Sequence, residues 1–316
     1  RLSEIQHQAL GRGLWLPVGL PGTGTDFGLG YDPTVRELLD HLTPGPSLFA
    51  SGTVRDFLLE SWATTAAGEV FHSGAPVFKN VAGYGLHHML CGSQGVYVDH
   101  LAATFALRPR PERALVLHLQ RSSSAAENSS RELGPLLTWL ATRGGGMAES
   151  QIVVDPEQGI LVLVAGRDRP WDLAAAAAEL SAHVAPVGWQ VSTKAEVPFA
   201  DAAALLTPDI FPAWAIGGQV WSTLAPLPSH RTTTGLDGGT RHLRQVGSGL
   251  TWVPGAAEER EGWHPEIFIA GGEITAPARP ADGVPIALLG ALKKIFDPEG
   301  KRPAPPWLFA AEVAGE

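Results

Sequence analysis

The sequence Gly52-Thr53-Val54-Arg55-Asp56-Phe57 opens the stretch that decides the fold, which continues with Lys79-Asn80-Val81-Ala82-Gly83-Tyr84 and Gly92-Ser93-Gln94-Gly95. Glycine in such runs indicates tight turns, because it reaches backbone conformations that other residues rarely adopt. Between the turns, the pattern predicts strands over 54–62, 69–72 and 97–108, with the first two joined near Ala67-Gly68. Residues 86–90 are predicted to form the start of a short helix or a turn. The stretch as a whole is typical of an α+β protein.

Two helices are predicted before this stretch. The first covers residues 3–14 with Ser3 as its N-cap, and the second begins at Asp32-Pro33, with Asp32 as the cap. Residues 17–31 are glycine-rich, but they lack the flanking strand and helix of a dinucleotide-binding fingerprint. They are therefore predicted to form a loop.

After this stretch, Arg108-Pro109-Arg110-Pro111 predicts a domain boundary. The elements that follow have the β-α-β-β-α order of a ferredoxin-like domain, ending with an alanine-rich helix over 171–184. Residues 205–283 are predicted to be strand fragments and loops, and Pro285 opens a last helix. The chain thus divides into segments 1–108, 109–284 and 285–316.

Composition narrows the possible functions. The chain has 316 residues, of which 44% are hydrophobic and 17% charged, so a sizeable core is expected. The formal net charge of −9 argues against nucleic acid as a partner, since phosphate binding needs clustered lysine and arginine. No apolar run is long enough to predict membrane insertion.

Cysteine usage narrows the redox chemistry. Cys91 is the sole cysteine of the sequence, which excludes a disulfide within the chain and an iron–sulfur cluster held by its own thiolates. This usage indicates a cytoplasmic protein. The opening residues, Arg1-Leu2-Ser3-Glu4, are not typical of a signal peptide, and residues upstream of them are expected to be missing from the chain.

The runs quoted above resemble the second half of the FAD domain in the vanillyl-alcohol-oxidase type of flavoprotein, and above all the FAD-binding subunits of bacterial glycolate oxidases. The residues Lys293-Lys294-Ile295-Phe296-Asp297-Pro298-Glu299-Gly300 resemble the closing element of that family. The resemblance implies that 1–108 is a partial FAD-binding domain, that 109–284 is a ferredoxin-like cap domain on the substrate side, and that 285–316 returns to the FAD domain.

The resemblance also implies FAD as cofactor, with flavin-dependent oxidation of a small 2-hydroxy acid. It implies no metal and leaves the catalytic residues unassigned. Partners would be a second flavoprotein subunit and an iron–sulfur subunit of an oxidase complex. Candidates to border the flavin are Gly52, Thr53, Val54, Lys79, Asn80, Gly83 and Tyr84.

Several departures from the family pattern cluster on the cofactor side. A gap-free alignment back from Gly52 puts Arg36-Glu37 where the family has a tight Gly-Gly beside the flavin, and charged side chains cannot reproduce that close approach. Gly85 replaces an aspartate, and Arg302-Pro303-Ala304-Pro305 replaces the usual Asn-Pro-Gly of the tail. The family's main pyrophosphate loop lies upstream of Arg1. A second hypothesis is therefore a non-catalytic scaffold or assembly subunit that has lost FAD binding.

Other polar groups have structural interpretations beside functional ones. Lys79-Asn80 could polarise the flavin or mark a turn, and Arg55-Asp56 is interpreted as an ion pair at a strand edge. A metal site at His87, His88 and Cys91 is disfavoured because no fourth ligand is evident. General-base candidates are His230, His242 and His264.

Overall fold

The computed structural model describes residues 1–18, 32–41, 52–79, 83–93, 95–121, 136, 138–139, 147–155, 159–166, 173–201, 213–216, 243–245, 250–254, 265–270, 273–275, 286–302 and 308. These residues combine helices with antiparallel sheets, as the sequence predicts. The helices are α1 (Leu2–Leu10), α2 (Val35–His41), α3 (Val54–Phe57), α4 (Leu86–Leu90), α5 (Leu173–Val184) and α6 (Ile286–Phe296). None of them is long and apolar enough to span a bilayer.

The candidate site lies on a small antiparallel sheet of three strands. They are β2 (Leu58–Thr64), β3 (Val70–Gly74) and β4 (Asp99–Phe105), in the order β3-β2-β4. Strand β2 is central, and its inward-facing residues alternate with less buried ones. A separate pair joins β1 (Leu14–Trp15) to β5 (Arg108–Pro109).

The larger sheet has nine strands in the order β14-β13-β10-β12-β11-β7-β8-β6-β9. Its members are β6 (Arg113–Arg121), β7 (Met147–Asp155), β8 (Gly159–Gly166), β9 (Trp189–Pro198), β10 (Ala213–Ile216), β11 (Leu243–Gln245), β12 (Leu250–Pro254), β13 (Pro265–Ala270) and β14 (Glu273–Thr275). Strands β6 to β9, with α5 and the helical residues Leu136 and Trp139, follow the β-α-β-β-α-β chain order.

Strand β2 begins later than the sequence pattern predicts. Residues 54–57 were expected to belong to the strand, yet they form one helical turn, α3, and the strand starts at Leu58. The cause is a capping box, in which Thr53 and Asp56 satisfy each other's backbone amides. Apolar alternation cannot distinguish such a turn from a strand, because Val54 and Phe57 are buried in either case.

The caps of the first two helices also differ from the prediction. Helix α1 starts at Leu2, so Ser3 lies inside it and donates from its amide and hydroxyl to Asp32 at 3.0 and 2.6 Å. Asp32 therefore holds the start of α1 instead of capping α2. At α2, Thr34 and Glu37 form the reciprocal bonds, at 2.7 Å from the Thr34 amide and 3.2 Å from the Glu37 amide.

Helix α6 packs against the small sheet. Leu289, Leu292 and Phe296 lie on a buried cluster that includes Tyr97 and Leu308. The Tyr97 hydroxyl donates to the carbonyl of Leu289 at 3.2 Å, which ties the helix to the segment before β4. Residues between 63 and 98 thus share one core with residues between 289 and 308.

Candidate functional site

The first group of candidate residues forms a tight, capped turn. Gly52 has a φ of +89°, and a Cβ there would lie 2.5 Å from Asp56 Oδ2. That carboxylate oxygen accepts hydrogen bonds from the Thr53 amide at 2.7 Å and the Thr53 hydroxyl at 3.0 Å. Val54 is buried, so only its backbone could contact a ligand. The fold itself requires glycine at position 52, whether or not a cofactor approaches.

The Arg55-Asp56 pair also has a different role from the one expected. Asp56 is the capping carboxylate of α3, and its bonds go to Thr53. The interpretation of these two residues as an ion pair at a strand edge is replaced by this cap.

The second group lies on the surface loop between β3 and α4. Lys79 is exposed, and the Tyr84 side chain is 92% exposed. Gly83 has a φ of +79°, with open space where a Cβ would be. The apolar side chains of Val77 and Phe78 are also exposed here. Asn80 lies outside the described residues, so the loop is known on both sides of it.

Helix α4 connects the two groups. The loop leads directly into its first residue, and the His88 Nε2 donates to the Leu58 carbonyl at 2.9 Å, next to the end of α3. Cys91 follows the other end of α4, where the charge of Arg55 lowers its pKa and the charges of Asp40 and Asp56 raise it, all by less than burial does. Burial raises the pKa of the Cys91 thiol to about 12, so this thiol stays protonated at neutral pH.

Polar side chains lie on the sheet next to the loop. The buried Glu60 contacts His72 Nε2 at 2.9 Å and accepts from the Thr104 hydroxyl at 2.8 Å. The buried Ser73 hydroxyl lies 3.0 Å from His87 Nδ1. Burial lowers the pKa of His87, and the nearby His88 and His72 lower it further, so this imidazole is neutral at pH 7.

Sequence reasoning missed this polar group. The alternation of side chains along a strand could have placed Ser73 on the inward face of β3, and His72, His87 and His88 are close in sequence. Neither pattern shows which of these side chains contact one another. Among the described residues, no cluster of histidine, cysteine, aspartate or glutamate has the arrangement of a metal site. The histidines 230, 242 and 264, named as general-base candidates, lie outside the described residues.

Arg36 and Glu37, near the start of α2, make structural contacts. Arg36 Nη1 lies 3.6 Å from Asp99 Oδ1, and Glu37 binds Thr34. On the buried side of the helix, Asp40 Oδ1 lies 3.8 Å from His100 Nε2. Burial raises the pKa of Asp40 to about 7, and the charge of Arg36 only partly opposes this rise.

The two sides of the candidate site differ in their fit to FAD. At the loop, Gly83 leaves its backbone open to close approach, and Lys79 and Tyr84 offer a cation and a phenol that can donate hydrogen bonds. At α2, the space near the helix start holds the Arg36 and Glu37 side chains. The loop side therefore fits the cofactor better than the α2 side.

Comparison with curated proteins gives two sequence relatives, while no family model matches the chain. The chain is 27% identical over 253 residues to the glycolate oxidase subunit GlcE of Escherichia coli, with 74% of this chain and 61% of GlcE covered. It is 30% identical over 116 residues to the D-lactate dehydrogenase of Archaeoglobus fulgidus, with 37% of this chain and 24% of that protein covered. The chain thus spans about three fifths of the length of GlcE.

Solved structures share the fold at low sequence identity. The VAO-type flavoprotein MtVAO615 of Myceliophthora thermophila has a TM-score of 0.60 and 13% identity, with 95% of this chain and 64% of that one covered. The carbohydrate oxidase of Microdochium nivale has a TM-score of 0.60 and 12% identity, with coverages of 96% and 75%. The glucooligosaccharide oxidase of Acremonium strictum, which carries a 6-S-cysteinyl, 8α-N1-histidyl FAD, also has a TM-score of 0.60 at 11% identity, with coverages of 95% and 75%. The chain therefore has the fold of the vanillyl-alcohol-oxidase type flavoproteins, and in sequence it is similar to a glycolate oxidase subunit.

Proposed function

We propose that this chain is part of a FAD-binding subunit that serves the oxidation of a small 2-hydroxy acid. The observation that carries the proposal is its similarity to two curated proteins named for glycolate and for D-lactate, both of which are 2-hydroxy acids. When bound, FAD supplies a hydride acceptor for C2 of such an acid. The cap role of the large sheet and a place in a cytoplasmic complex with flavoprotein and iron–sulfur subunits are parts of the same proposal.

The chain's own residues would hold and orient the flavin. In this proposal Gly83 and the backbone of Gly52, Thr53 and Val54 allow close approach, while Lys79, Asn80 and Tyr84 supply polar contacts. Support comes from the exposure of Lys79 and Tyr84 and the open backbone at Gly83. Lys79 would supply a positive charge that stabilises negative charge on a bound flavin.

The test is a visible absorption spectrum of the full-length protein that contains this chain, taken after incubation with FAD and desalting. Flavin bands that survive desalting and bleach anaerobically with glycolate or D-lactate are the expected result. Lys79→Met should weaken FAD retention, whereas Lys294→Met, an exposed lysine on α6, should not. A folded protein with a featureless spectrum would refute FAD binding.

One observation favours a second function, that of a scaffold or assembly subunit without FAD. The Arg36 and Glu37 side chains at the start of α2 bind Asp99 and Thr34, so both are used in structural contacts. In a scaffold, these contacts would replace the close approach of a cofactor at α2. A featureless spectrum, together with co-purification of oxidase subunits, is the result expected for this alternative.

A further inference from the structure

Helix α4 receives its N-cap from a neighbouring strand. The residue at its N-cap position is Gly85, which has no side chain to bind the free amides of the first turn. The His87 amide instead donates to the hydroxyl of Ser73, on β3, at 3.2 Å. A serine hydroxyl bonded to the second amide of a helix is the contact that an N-cap serine normally makes from within the chain.

The same hydroxyl makes two further contacts. It lies 3.0 Å from His87 Nδ1 and 3.5 Å from the carbonyl oxygen of Tyr84, which also accepts from the Leu86 amide at 2.9 Å. Ser73 and His87 are both buried, so water does not compete for these bonds. One hydroxyl thus fixes the first turn of α4 and the segment that carries Tyr84.

The hydroxyl has one proton and two acceptors for it. When His87 is neutral, its Nδ1 can accept that proton; when His87 is protonated, Nδ1 becomes a donor and the hydroxyl can turn to the Tyr84 carbonyl. The titratable groups that act on His87 are His88 on α4, His72 on β3 and Glu60 on β2. In both protonation states Ser73 Oγ still accepts from the His87 amide, so the cap persists.

We propose that Ser73 is a positioning residue, which caps α4 from the sheet and thereby sets the conformation of segment 83–85. The capping role stands on the geometry alone. The consequence for flavin binding through Tyr84 rests on the proposed function.

The test of the cap is hydrogen exchange, measured by mass spectrometry on peptides spanning 84–90 of the full-length protein. Ser73→Ala should speed exchange in these peptides by roughly five-fold or more, which corresponds to the helix stability that a missing N-cap typically removes. Ser61→Ala is the matched control, because Ser61 pairs directly with Ser73 across the sheet, is buried, and has no hydrogen-bond partner for its hydroxyl among the described residues. Unchanged exchange in Ser73→Ala, or equal acceleration in Ser61→Ala, would overturn the proposal.

Rescue separates a cap from a simple packing role. Gly85 has a φ of −77°, and a Cβ there would meet its nearest atom, His88 Nδ1, at 3.7 Å, so aspartate fits this position. Gly85→Asp added to Ser73→Ala should restore slow exchange, since aspartate caps from within the chain. Ser73→Thr should keep it slow for the same chemical reason. If neither variant restores protection, the proposal is wrong.

The effect of Ser73 on flavin binding is measured separately, as the amount of FAD that the protein retains after desalting. If the wild type retains FAD, Ser73→Ala should retain less and the Gly85→Asp double variant should recover. Retention that stays equal in all three refutes the effect on flavin. If the wild type retains no FAD, the proposed function fails, and the exchange experiment still decides whether Ser73 is the cap.

Discussion

Arg302 binds Asp99 across the junction between the C-terminal segment and β4, with Arg302 Nη2 2.7 Å from Asp99 Oδ2. Arg36, from α2, approaches the other oxygen of the same carboxylate at 3.6 Å. The hydrogen bond from Arg302 is the main cause of the lowered pKa of Asp99. Arg36 and Arg302 are therefore joined through one carboxylate, which links α2 to the segment that follows α6.

Replacing Arg302 should cost far more stability than replacing Arg36. Arg302 also donates to the Thr64 carbonyl at 3.2 Å, and its side chain is 12% exposed against 52% for Arg36. Arg302→Ala should lower the free energy of unfolding by about 1.5–3 kcal/mol, and Arg36→Ala by less than about 1 kcal/mol. Urea denaturation of both variants checks this, and equal losses would contradict it.

Lys293 should be essential for docking α6. Its buried ammonium lies 2.6 Å from Asp297 Oδ2 and donates to the carbonyls of Val96 at 2.8 Å and Arg302 at 3.0 Å. Lys293→Ala would leave the buried Asp297 carboxylate without its cation, bonded to the amides of Lys301 and Arg302, so a loss of about 3–5 kcal/mol is expected. The exposed neighbour Lys294 is the control, and Lys294→Ala should lose much less. Thermal unfolding of the two variants distinguishes them.

Asp40 should make stability depend on pH between about 4 and 7. Burial raises its pKa from 3.8 to about 7, so its contribution to stability is full below pH 4 and is lost as pH rises through 7. His100 acts in the opposite direction, because burial lowers its pKa and stability falls as that histidine must charge in acid. The difference between Asp40→Asn and wild type isolates the aspartate.

The expected result is that Asp40→Asn gains stability relative to wild type as the pH is raised from 5 to 8. Denaturation curves at pH 5, 6, 7 and 8 measure this difference. A stability difference that is constant with pH would show that Asp40 has an ordinary pKa.

The glycines of the candidate site should respond differently to alanine. At Gly52 an added Cβ would lie 2.5 Å from Asp56 Oδ2, whereas nothing lies within 4 Å of one at Gly83. Gly52→Ala should therefore break the α3 cap and destabilise the protein by more than the cost of a positive φ, which is about 1–2 kcal/mol. Gly83→Ala should destabilise the protein by that backbone cost alone. Gly68→Ala, at an equally open turn with φ +85°, is its matched control.

Two of these variants, Gly83→Ala and Gly68→Ala, also test the flavin proposal. Gly83→Ala should reduce FAD retention at a stability equal to that of Gly68→Ala, because only Gly83 lies in the loop proposed to face the cofactor. If both variants retain FAD equally well, the flavin does not approach the backbone at Gly83.

The sequence predicts the elements better than their ends and their contacts. Apolar alternation and turn residues indicate the α+β class, and the resemblance implied the vanillyl-alcohol-oxidase type fold, which the comparison with solved structures confirms. The predicted start of β2 was wrong because a capping box made by side chains sets where the strand begins. The predicted role of Asp32 was wrong because its partner, Ser3, lies far away in sequence. Contacts such as Ser73 with His87 depend on how β3 meets α4, which no local pattern records.

The position of α6 has a consequence for synthesis of the chain. Four residues from α6 and beyond complete a core whose other members lie between residues 63 and 98: Leu289, Leu292, Phe296 and Leu308. Contacts of such large sequence separation form late, because a long loop must close before they can stabilise anything. During translation the apolar face of the three-stranded sheet therefore stays uncovered until residue 308 has left the ribosome. A chaperone that binds exposed apolar surface would engage the nascent chain during this interval.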